Sequence, residues 1–307
     1  MRLDRRGFLA GTAGAIAAGA GLFPRPASAR HQALRVGSAE ITVVSDGELS
    51  LPIGFVLPDT PRAETDALFV ANGLDPARLQ SQVNVIVVKT QSDLILIDAG
   101  AGTDFMQGLG RFPDALEQAG IDREKVTKVI FTHLHADHFW GVVDDFETTR
   151  YPNAQHIVSA AELDYWRQPD LTSRVPEAFQ AMAAGTQRRL KMVDDVLKTA
   201  RPGQEIAPGI ALVDTGGHTP GHVSVLVGTG ADRILVGGDV LTQNIVSFQK
   251  PGWRWGADMD AAAAARSRRR MLDMLAADRI PLVGTHLPWP GVGRVEPGGG
   301  AWRFVQG

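Results

Sequence analysis

The chain has no cysteine among its 307 residues, so disulfides, thiolate metal ligands and thiol nucleophiles are all excluded. A G-x-S-x-G segment is also missing, which removes the usual setting of a serine nucleophile, and no glycine-rich loop stands where it would bind nucleotide phosphates. Basic residues do not exceed acidic ones, 31 against 34, and form no stripe that would neutralise nucleic-acid phosphates. We therefore expect neither thiol chemistry nor a nucleic-acid partner.

The first 29 residues have the pattern of an export signal. Arg5-Arg6 precedes a weakly apolar run at residues 8–23, and Ala27-Ser28-Ala29 offers a small-residue cleavage site. The run is shorter than the roughly 20 residues that span a bilayer, so an N-terminal anchor is the weaker interpretation. The pattern resembles a twin-arginine signal. We expect the twin-arginine export machinery to carry the folded chain to the periplasm or outside the cell, with no stable membrane anchoring after cleavage.

Residues 30–307 are expected to form one domain, because their length suits a single core and no low-complexity linker divides them. Apolar runs that alternate with helical stretches indicate the α/β class. Strands are predicted at 41–44, 83–88, 94–97, 129–132, 210–213, 223–227 and 234–236, and helices at 113–119, 159–166, 176–197 and 258–277. Residues 51–82 are predicted to be a long irregular segment able to cover a site, residues 266–270 a solvated helix face, and residues 297–300 a flexible loop.

A cluster of histidines is the strongest functional signal. His133, His135, Asp137 and His138 lie within six positions, directly after an apolar run that ends in Thr132. A strand end delivers such residues to a sheet edge, where His133 and His135 can share one metal ion while Asp137 and His138 point toward a second. Chance clustering on a solvated loop is the alternative, and three of the chain's eight histidines in six positions disfavour it.

One loop cannot complete two coordination spheres, so further ligands are expected downstream. A tight turn contains both His218 and His222, and the residues alone leave open which of the two is the ligand. Asp239 follows two glycines at the end of an apolar run, where close approach is allowed. His286 follows the apolar run at 280–283. All of these are polar groups at predicted strand ends.

The ordered set of HxHxDH, GHTPGH, GGD and a late TH resembles the metallo-β-lactamase superfamily of metal-dependent hydrolases. The resemblance covers most of the chain after residue 35. The segments that contain Asp46, Asp98, His138 and His286 look most like the methyl parathion hydrolase branch, whose relatives include lactonases. This resemblance implies a four-layer αββα sandwich with the metals at one edge between the sheets, which periodicity alone does not predict.

The resemblance also implies roles for single residues. The ligands of one ion would be His133, His135 and His218, those of the other Asp137, His138 and His286, and Asp239 would bridge them. It favours His218 over His222, which would then support the ligands from behind. Asp98 would accept a hydrogen bond from a ligating imidazole. Two divalent ions are expected, most readily zinc, while manganese, cobalt and iron suit the same donors.

Two cations about 3.5 to 4 Å apart can hold a water between them, lower its pKa and polarise a substrate oxygen. We expect the resulting hydroxide to attack small ester substrates, such as phosphotriesters, lactones or aryl esters. Asp137 and Asp239 are candidates for proton handling as well as ligation. An aromatic, mostly apolar substrate pocket is predicted from four side chains near the metal motifs: Phe55, Phe139, Trp140 and Phe248.

Several alternatives stay open at this point. Acyl-homoserine lactonases of the superfamily place a tyrosine shortly after the bridging aspartate, whereas Asp239 is followed here by Val240, Leu241 and Thr242. β-Lactamase activity also suits an exported enzyme. A non-catalytic metal-binding protein is the alternative of another class, which the intact ligand set disfavours. A homodimer is neither indicated nor excluded, because an exposed apolar helix face is not recognisable from sequence.

Overall fold

Two seven-stranded mixed sheets form the centre of the computed structural model, which describes residues 31–307. The predicted export signal at residues 1–29 lies outside the described residues. The first sheet contains, in spatial order, β1 (His31–Val36), β2 (Ala39–Pro52), β3 (Arg78–Lys89), β4 (Leu94–Ile97), β5 (Lys128–Ile130), β6 (Gln155–Ser159) and β7 (Leu197–Ala200). The second contains β8 (Glu205–Ala207), β9 (Ile210–Asp214), β10 (Val223–Thr229), β11 (Asp232–Val236), β12 (Leu282–Val283), β13 (Val292–Gly298) and β14 (Ala301–Gln306).

Both sheets combine parallel and antiparallel pairs. Strands β4 to β7 run parallel to one another, as do β11 and β12, and the other neighbours are antiparallel. The helices within residues 31–307 are α1 (Ile53–Val56), α2 (Arg62–Ala71), α3 (Phe112–Gln118), α4 (Ala136–Phe139), α5 (Ala160–Trp166), α6 (Leu171–Arg174), α7 (Glu177–Val193), α8 (Val246–Gln249) and α9 (Ala261–Asp278). None of them is long and apolar enough to cross a membrane.

The alternation of side chains along the strands produces four layers. In β11, Ile234 and Val236 pack between the two sheets, whereas Leu235 packs with residues of α9. In β4, Ile95 packs between the sheets and Leu96 packs beneath α3, α5 and α7. Because both faces of each sheet are buried, the central strands are almost continuously apolar. The layers are therefore helix, sheet, sheet and helix, which confirms the expected αββα sandwich.

The predicted strands and helices all occur, with differences at their ends. Strands β2 and β3 are longer than predicted, because their halves nearest the metal motifs carry polar residues that interrupt the apolar pattern. The helix predicted at 176–197 ends at Val193, and β7 begins at Leu197. Residues 297–300 are not a loose loop but the tight turn of the β13–β14 hairpin, in which Gly299 has a positive φ of 59°.

The prediction of an irregular segment at residues 51–82 is wrong. This segment contains α1, α2 and the first residues of β3, so its prolines mark helix starts and turns. Pro52 and Pro61 directly precede the two helices. Buried side chains of the segment, among them Ile53, Phe69 and Leu79, form a small apolar cluster with Trp255. The segment is therefore a packed part of the domain.

His156 gives a stability test that is independent of any metal. It is fully buried in β6, its ring stacks on Phe131 at 6.1 Å between centroids, and its Nδ1 has no partner within residues 31–307. Burial lowers its pKa from 6.5 to about 4. Between pH 6.5 and about pH 4, the folded state therefore binds fewer protons than the unfolded state. The free energy of unfolding should fall by about 3 kcal/mol as the pH drops through this range.

We expect His156→Phe, which keeps the stacking, to lose this part of the pH dependence. Urea denaturation of the wild type and the variant at several pH values measures it. Acid-driven loss of metal affects both proteins alike and cancels in the difference. Parallel pH profiles would contradict the assignment.

Candidate metal centre

The predicted ligands lie together at one edge of the sandwich. Each comes from a segment that directly follows β5, β9, β11 or β12, where the chain leaves the apolar interior and polar groups become available. Their ligand atoms form three overlapping groups, and within each group the atoms lie less than 4.8 Å apart. The residues that meet there are His133, His135, Asp137, His138, His218, Asp239 and His286.

The first cluster consists of three imidazoles. Nδ1 of His135 lies 3.0 Å from Nε2 of His133 and 2.9 Å from Nε2 of His218. Burial, together with the neighbouring imidazoles, holds the pKa values of His133 and His135 well below their usual range, so both rings are neutral. Neutral rings that point lone pairs at one another repel unless a cation lies among them. This cluster therefore fits a metal ion.

The second cluster combines two imidazoles with a carboxylate. Nε2 of His286 lies 3.3 Å from Oδ2 of Asp137 and 3.4 Å from Nε2 of His138. Burial opposes protonation of His286, but Asp239 and Asp137 outweigh it and raise its pKa to about 10. The same balance holds the pKa of His138 well above its usual range. The carboxylates thus demand positive charge at this position, which a divalent cation supplies.

Asp239 lies between the two clusters. Its Oδ1 is 3.2 Å from Nε2 of both His138 and His286, and its Oδ2 is 3.3 Å from Nε2 of His218. Burial acts to raise its pKa, but the imidazoles of His286 and His138 hold the pKa well below the usual range. One oxygen therefore faces each cluster, which is the arrangement that a bridging carboxylate requires.

One buried atom tests whether the site fits metal ions. Oδ1 of Asp239, which faces His138 and His286, accepts no well-formed hydrogen bond from the described residues. Buried polar atoms are rarely left in this state. The donors are nitrogen and oxygen only, a set that suits zinc and also manganese, cobalt or iron. The residues present therefore fit two divalent cations.

Hydrogen bonds on the far side of the rings orient the ligands. Nδ1–H of His138 donates to Asp98 at 2.7 Å, and Asp98 also accepts the backbone N–H of Thr132 at 2.8 Å. Nδ1–H of His286 donates to the carbonyl of Gln82 at 2.7 Å. Each contact leaves Nε2 free to face the cluster and restricts ring rotation. Asp98 thus occupies the supporting position that the sequence resemblance implied.

His222 also lies behind the ligands. Its Nε2 accepts the backbone N–H of Asp239 at 2.9 Å, and its Nδ1 contacts Oγ1 of Thr215 at 2.8 Å. Burial lowers its pKa to about 3, so the ring is neutral and Nδ1–H donates to the threonine. Gly238 permits this approach, because a Cβ there would lie 2.7 Å from Nε2 of His222. His218, and not His222, joins the imidazole cluster.

Sequence reasoning missed a buried ion pair behind His218. Nδ1–H of His218 donates to Oδ1 of Asp258 at 3.0 Å, and Arg268 donates to Oδ2 of the same carboxylate at 3.2 Å. The prediction of a solvated arginine face is wrong for Arg268, which is buried because α9 turns this position toward the site. Its exposed neighbours in the arginine-rich stretch do fit that prediction. Nothing in the spacing of Asp258 distinguishes it from an ordinary helix-start residue.

Glu162 is a second residue that sequence reasoning missed. Its Oε1 accepts the backbone N–H of Leu134 at 3.0 Å, and its Oε2 accepts the backbone N–H of Gly221 at 3.0 Å and the hydroxyl of Thr219 at 2.6 Å. It therefore joins the loop of His135 to the turn of His218. A Cβ at Gly221 would lie 2.0 Å from the backbone nitrogen of Glu162, so the turn needs glycine there. In sequence, Glu162 resembles a common residue of the first helical turn.

An apolar pocket of about 220 Å³ opens above the ligands. Asp137, His135, Asp239 and His286 form its base, and its other walls are largely apolar. The wall residues are Leu49, Leu51, Phe55, Leu79, Ser81, Phe105, Met106, Ala178, Phe179, Met182, Trp255 and Ala257. A larger surface recess, of about 660 Å³, contains none of the predicted ligands. The smaller pocket is therefore the candidate substrate site.

Of the four aromatic residues predicted to line this pocket, only Phe55 does so. Phe139 packs in the core against Phe131, 5.1 Å between ring centroids, because the turn of α4 directs it away from the ligands. The Trp140 ring packs under Arg189 at a different recess. Phe248 is buried on the outer side of the second sheet. These three residues lie near the metal motifs in sequence, but their side chains do not line the pocket.

Replacing Glu162 tests whether it holds the two loops together. Glu162→Gln puts an amide where a carboxylate oxygen accepts two donors, so we expect the free energy of unfolding to fall by about 2 kcal/mol. We also expect metal affinity to fall, because Glu162 would no longer hold the loop of His135 and the turn of His218 together. Urea denaturation and metal titration measure both effects. Glu117→Gln, at an exposed site, is the matched control, and equal behaviour of the two variants would contradict this role.

Comparison with known proteins agrees with this geometry. Residues 78–286 match the family model described as the metallo-beta-lactamase superfamily. A probable metallo-hydrolase of Mycobacterium tuberculosis is 28% identical over 182 residues, which cover 51% of this chain and 56% of that protein. The N-acyl homoserine lactonase AttM of Rhizobium radiobacter is 30% identical over 117 residues, 37% of this chain and 40% of the lactonase. The chain thus spans about half the length of the curated relatives it matches.

Two solved structures are similar over nearly the whole described chain. AidC, a dizinc quorum-quenching lactonase in complex with a product, has a TM-score of 0.84 at 25% identity, covering 91% of this chain and 98% of its own. AbOPH, a hydrolase in the beta lactamase superfamily, has a TM-score of 0.83 at 28% identity, with coverage of 90% and 97%.

Proposed function

Because the chain belongs to the metallo-β-lactamase superfamily, we propose that it is a metal-dependent hydrolase of neutral esters, with lactones as the favoured class. One observation carries the proposal: two adjoining clusters of ligand atoms, linked by Asp239, form the base of an apolar pocket. Clusters of this composition hold divalent cations, and the pocket above them admits an uncharged substrate. The two features together suit hydrolysis of an ester.

Two carboxylates of the chain, Asp137 and Asp239, have roles beside the ions. Two bound divalent cations supply an activated water and polarise an ester oxygen. Asp137 reaches the pocket with a partly exposed carboxylate, whose pKa the neighbouring His138 and His286 lower to about 2 against the effect of burial. Asp137 and Asp239 are therefore ionised and placed to hold or pass a proton beside the scissile bond. No other carboxylate lines the pocket within residues 31–307.

The apolar walls favour a substrate without charge. Leu49, Leu51, Leu79 and Met182 offer no partner for an ionic group, and burial of an unpaired charge is costly. AidC, whose fold is similar, is a lactonase, which supports a lactone as the substrate. A periplasmic or secreted location, proposed below, would expose the enzyme to such small neutral molecules.

Phosphotriesters are the second candidate class. The sequence segments around Asp98, His138 and His286 look most like the methyl parathion hydrolase branch, and an uncharged phosphotriester suits the same pocket. Hydrolysis of either class would use the same two ions and the same carboxylates, Asp137 and Asp239, beside the scissile bond. The choice between them therefore rests on measured rates.

A matched substrate panel tests the proposal. We expect the zinc- or manganese-loaded protein to hydrolyse a lactone or an aryl ester with higher kcat/KM than methyl parathion or a β-lactam. Asp239→Asn should lower every rate more than about a hundredfold, because it removes a ligand common to both clusters. Asp232→Asn, an exposed change at the start of β11, the strand that precedes Asp239, should leave the rates unchanged. Metal content is measured in parallel.

Each outcome of the panel has a distinct meaning. A dominant rate on methyl parathion would select the second candidate class. A dominant rate on the β-lactam would replace both classes. Metal binding without any rate above that of Asp239→Asn would indicate the non-catalytic metal-binding alternative.

We also propose that the chain is exported through the twin-arginine machinery, on the basis of Arg5-Arg6 and the cleavage site that ends at Ala29. Replacing Arg5 and Arg6 together by lysine should retain the protein in the cytoplasm, because this machinery recognises the arginine pair. Arg2→Lys is the control. Cell fractionation and the mass of the N-terminal peptide measure the result, and normal export of the double variant would contradict this route.

A further inference from the structure

The loop that carries His286 is held by a strand of the opposite sheet. This loop follows β12 in the second sheet, whereas β3 belongs to the first. β4 pairs with β3 only from Ile86 to Lys89, so the preceding part of that edge of β3 is open to another segment. The carbonyl oxygens of all four residues 284–287 accept hydrogen bonds from this part of β3. The two sheets are therefore joined directly at the metal centre.

Asn84 of β3 makes three of these four hydrogen bonds. Its backbone N–H donates to the carbonyl of Thr285 at 2.9 Å. Its side-chain Nδ2 donates to the carbonyls of Gly284 and Leu287, each at 3.0 Å. One residue thus fixes the backbone on both sides of His286.

Two neighbours of Asn84 on β3 hold His286 itself. The hydroxyl of Ser81 donates to the carbonyl of His286 at 3.2 Å. The carbonyl of Gln82 accepts the ring Nδ1–H of His286 at 2.7 Å. Together with the contacts of Asn84, these bonds fix both the backbone and the ring of the ligand.

The side-chain amide of Asn84 acts here as a donor. Asn84 is fully buried, and both of its loop contacts are carbonyl oxygens, which require the NH2 group and so fix the orientation of the amide. Its Oδ1 accepts no well-formed hydrogen bond from residues 31–307. Burial of an acceptor in this state is costly, so the two donated bonds explain the residue at this position. Gly291 permits the contact, because a Cβ there would lie 2.6 Å from Nδ2.

We propose that Asn84 is a positioning residue for one of the two metal ions, because it fixes the loop that places His286 beside Asp137 and His138. The first cluster has different supports, since Glu162 and Asp258 hold the segments of His135 and His218. Loss of the Asn84 side chain should therefore weaken one ion selectively. The inference rests on the metal centre of the proposed function, but it does not depend on which substrate is hydrolysed.

Asn84→Ala tests this role, because alanine removes both side-chain donors and adds no bulk beside Gly291. We expect the dissociation constant of the ion held by Asp137, His138 and His286 to rise by about tenfold to a hundredfold, the usual cost of losing a contact that orients a ligand. The ion held by His133, His135 and His218 should be affected far less.

Asn153→Ala is the matched control. Asn153 also donates its side-chain amide to a backbone carbonyl, that of Glu124 at 3.0 Å, but on an exposed loop. Both dissociation constants should stay unchanged in this variant.

Zinc titration of the metal-free proteins in zinc buffers gives the two dissociation constants. NMR of histidine labelled with nitrogen-15 assigns them, because the Nε2 signals of His138 and His286 shift with one ion and those of His133 and His218 with the other. Circular dichroism verifies that each variant is folded. None of these measurements requires turnover.

The pattern of losses decides the inference. Equal weakening of both ions, or no weakening, would overturn it, because an amide that only stabilises the fold favours neither cluster. Should Asn84→Ala fail to fold, Ser81→Ala removes one bond to the same loop, and we expect the same ion to be weakened by about fivefold. No selective change in Ser81→Ala would then overturn the inference.

Failure of the inference and failure of the proposed function give different results. Selective weakening in a protein that hydrolyses no ester would support the role of Asn84 and count against the proposed function alone. Equal affinities in an active enzyme would overturn the inference alone. A wild-type protein that binds a single ion would overturn both.

Discussion

The site depends on one constraint: buried lone pairs and carboxylates converge on each other at a sheet edge, and only added positive charge makes that arrangement favourable. Nδ1 of His135 lies within 3.0 Å of two other imidazole nitrogens, and Asp239 faces both clusters. Two divalent cations would offset this repulsion and link the four segments that carry the ligands. Metal binding and local stability are therefore expected to be coupled in this domain.

The surrounding residues hold the converging groups in place. Asp98 and Asp258 fix the rings of His138 and His218, and Glu162 joins the loops that carry His135 and His218. Each of these carboxylates is buried and fully paired with donors, as burial of charge requires. The apolar sandwich supplies the rigid strand ends from which the loops begin. Core packing thus sets the position of the site, and buried carboxylates set its geometry.

The sequence signals that succeeded were local. Polar residues directly after apolar runs indicated the ends of β5, β11 and β12, and each run needs only its own residues to be recognised. The signals that failed needed knowledge of distant neighbours. Glu162 resembles an ordinary helix-start residue, and Arg268 resembles its exposed neighbours until α9 packs against the segment that contains Asp258. The prediction of the pocket lining was wrong for the same reason, since Phe139 lies near the ligands in sequence but points into the core.

By itself, the sequence determined the chemistry that is available: a cysteine-free set of imidazoles and carboxylates placed after strands, and hence the family resemblance and its layered fold. The tertiary structure alone decided which of those groups contact one another. It brings His218 and not His222 to the imidazole cluster and pairs Asp258 with Arg268. These outcomes depend on contacts between residues far apart in the chain, whose geometry follows from packing rather than from local spacing.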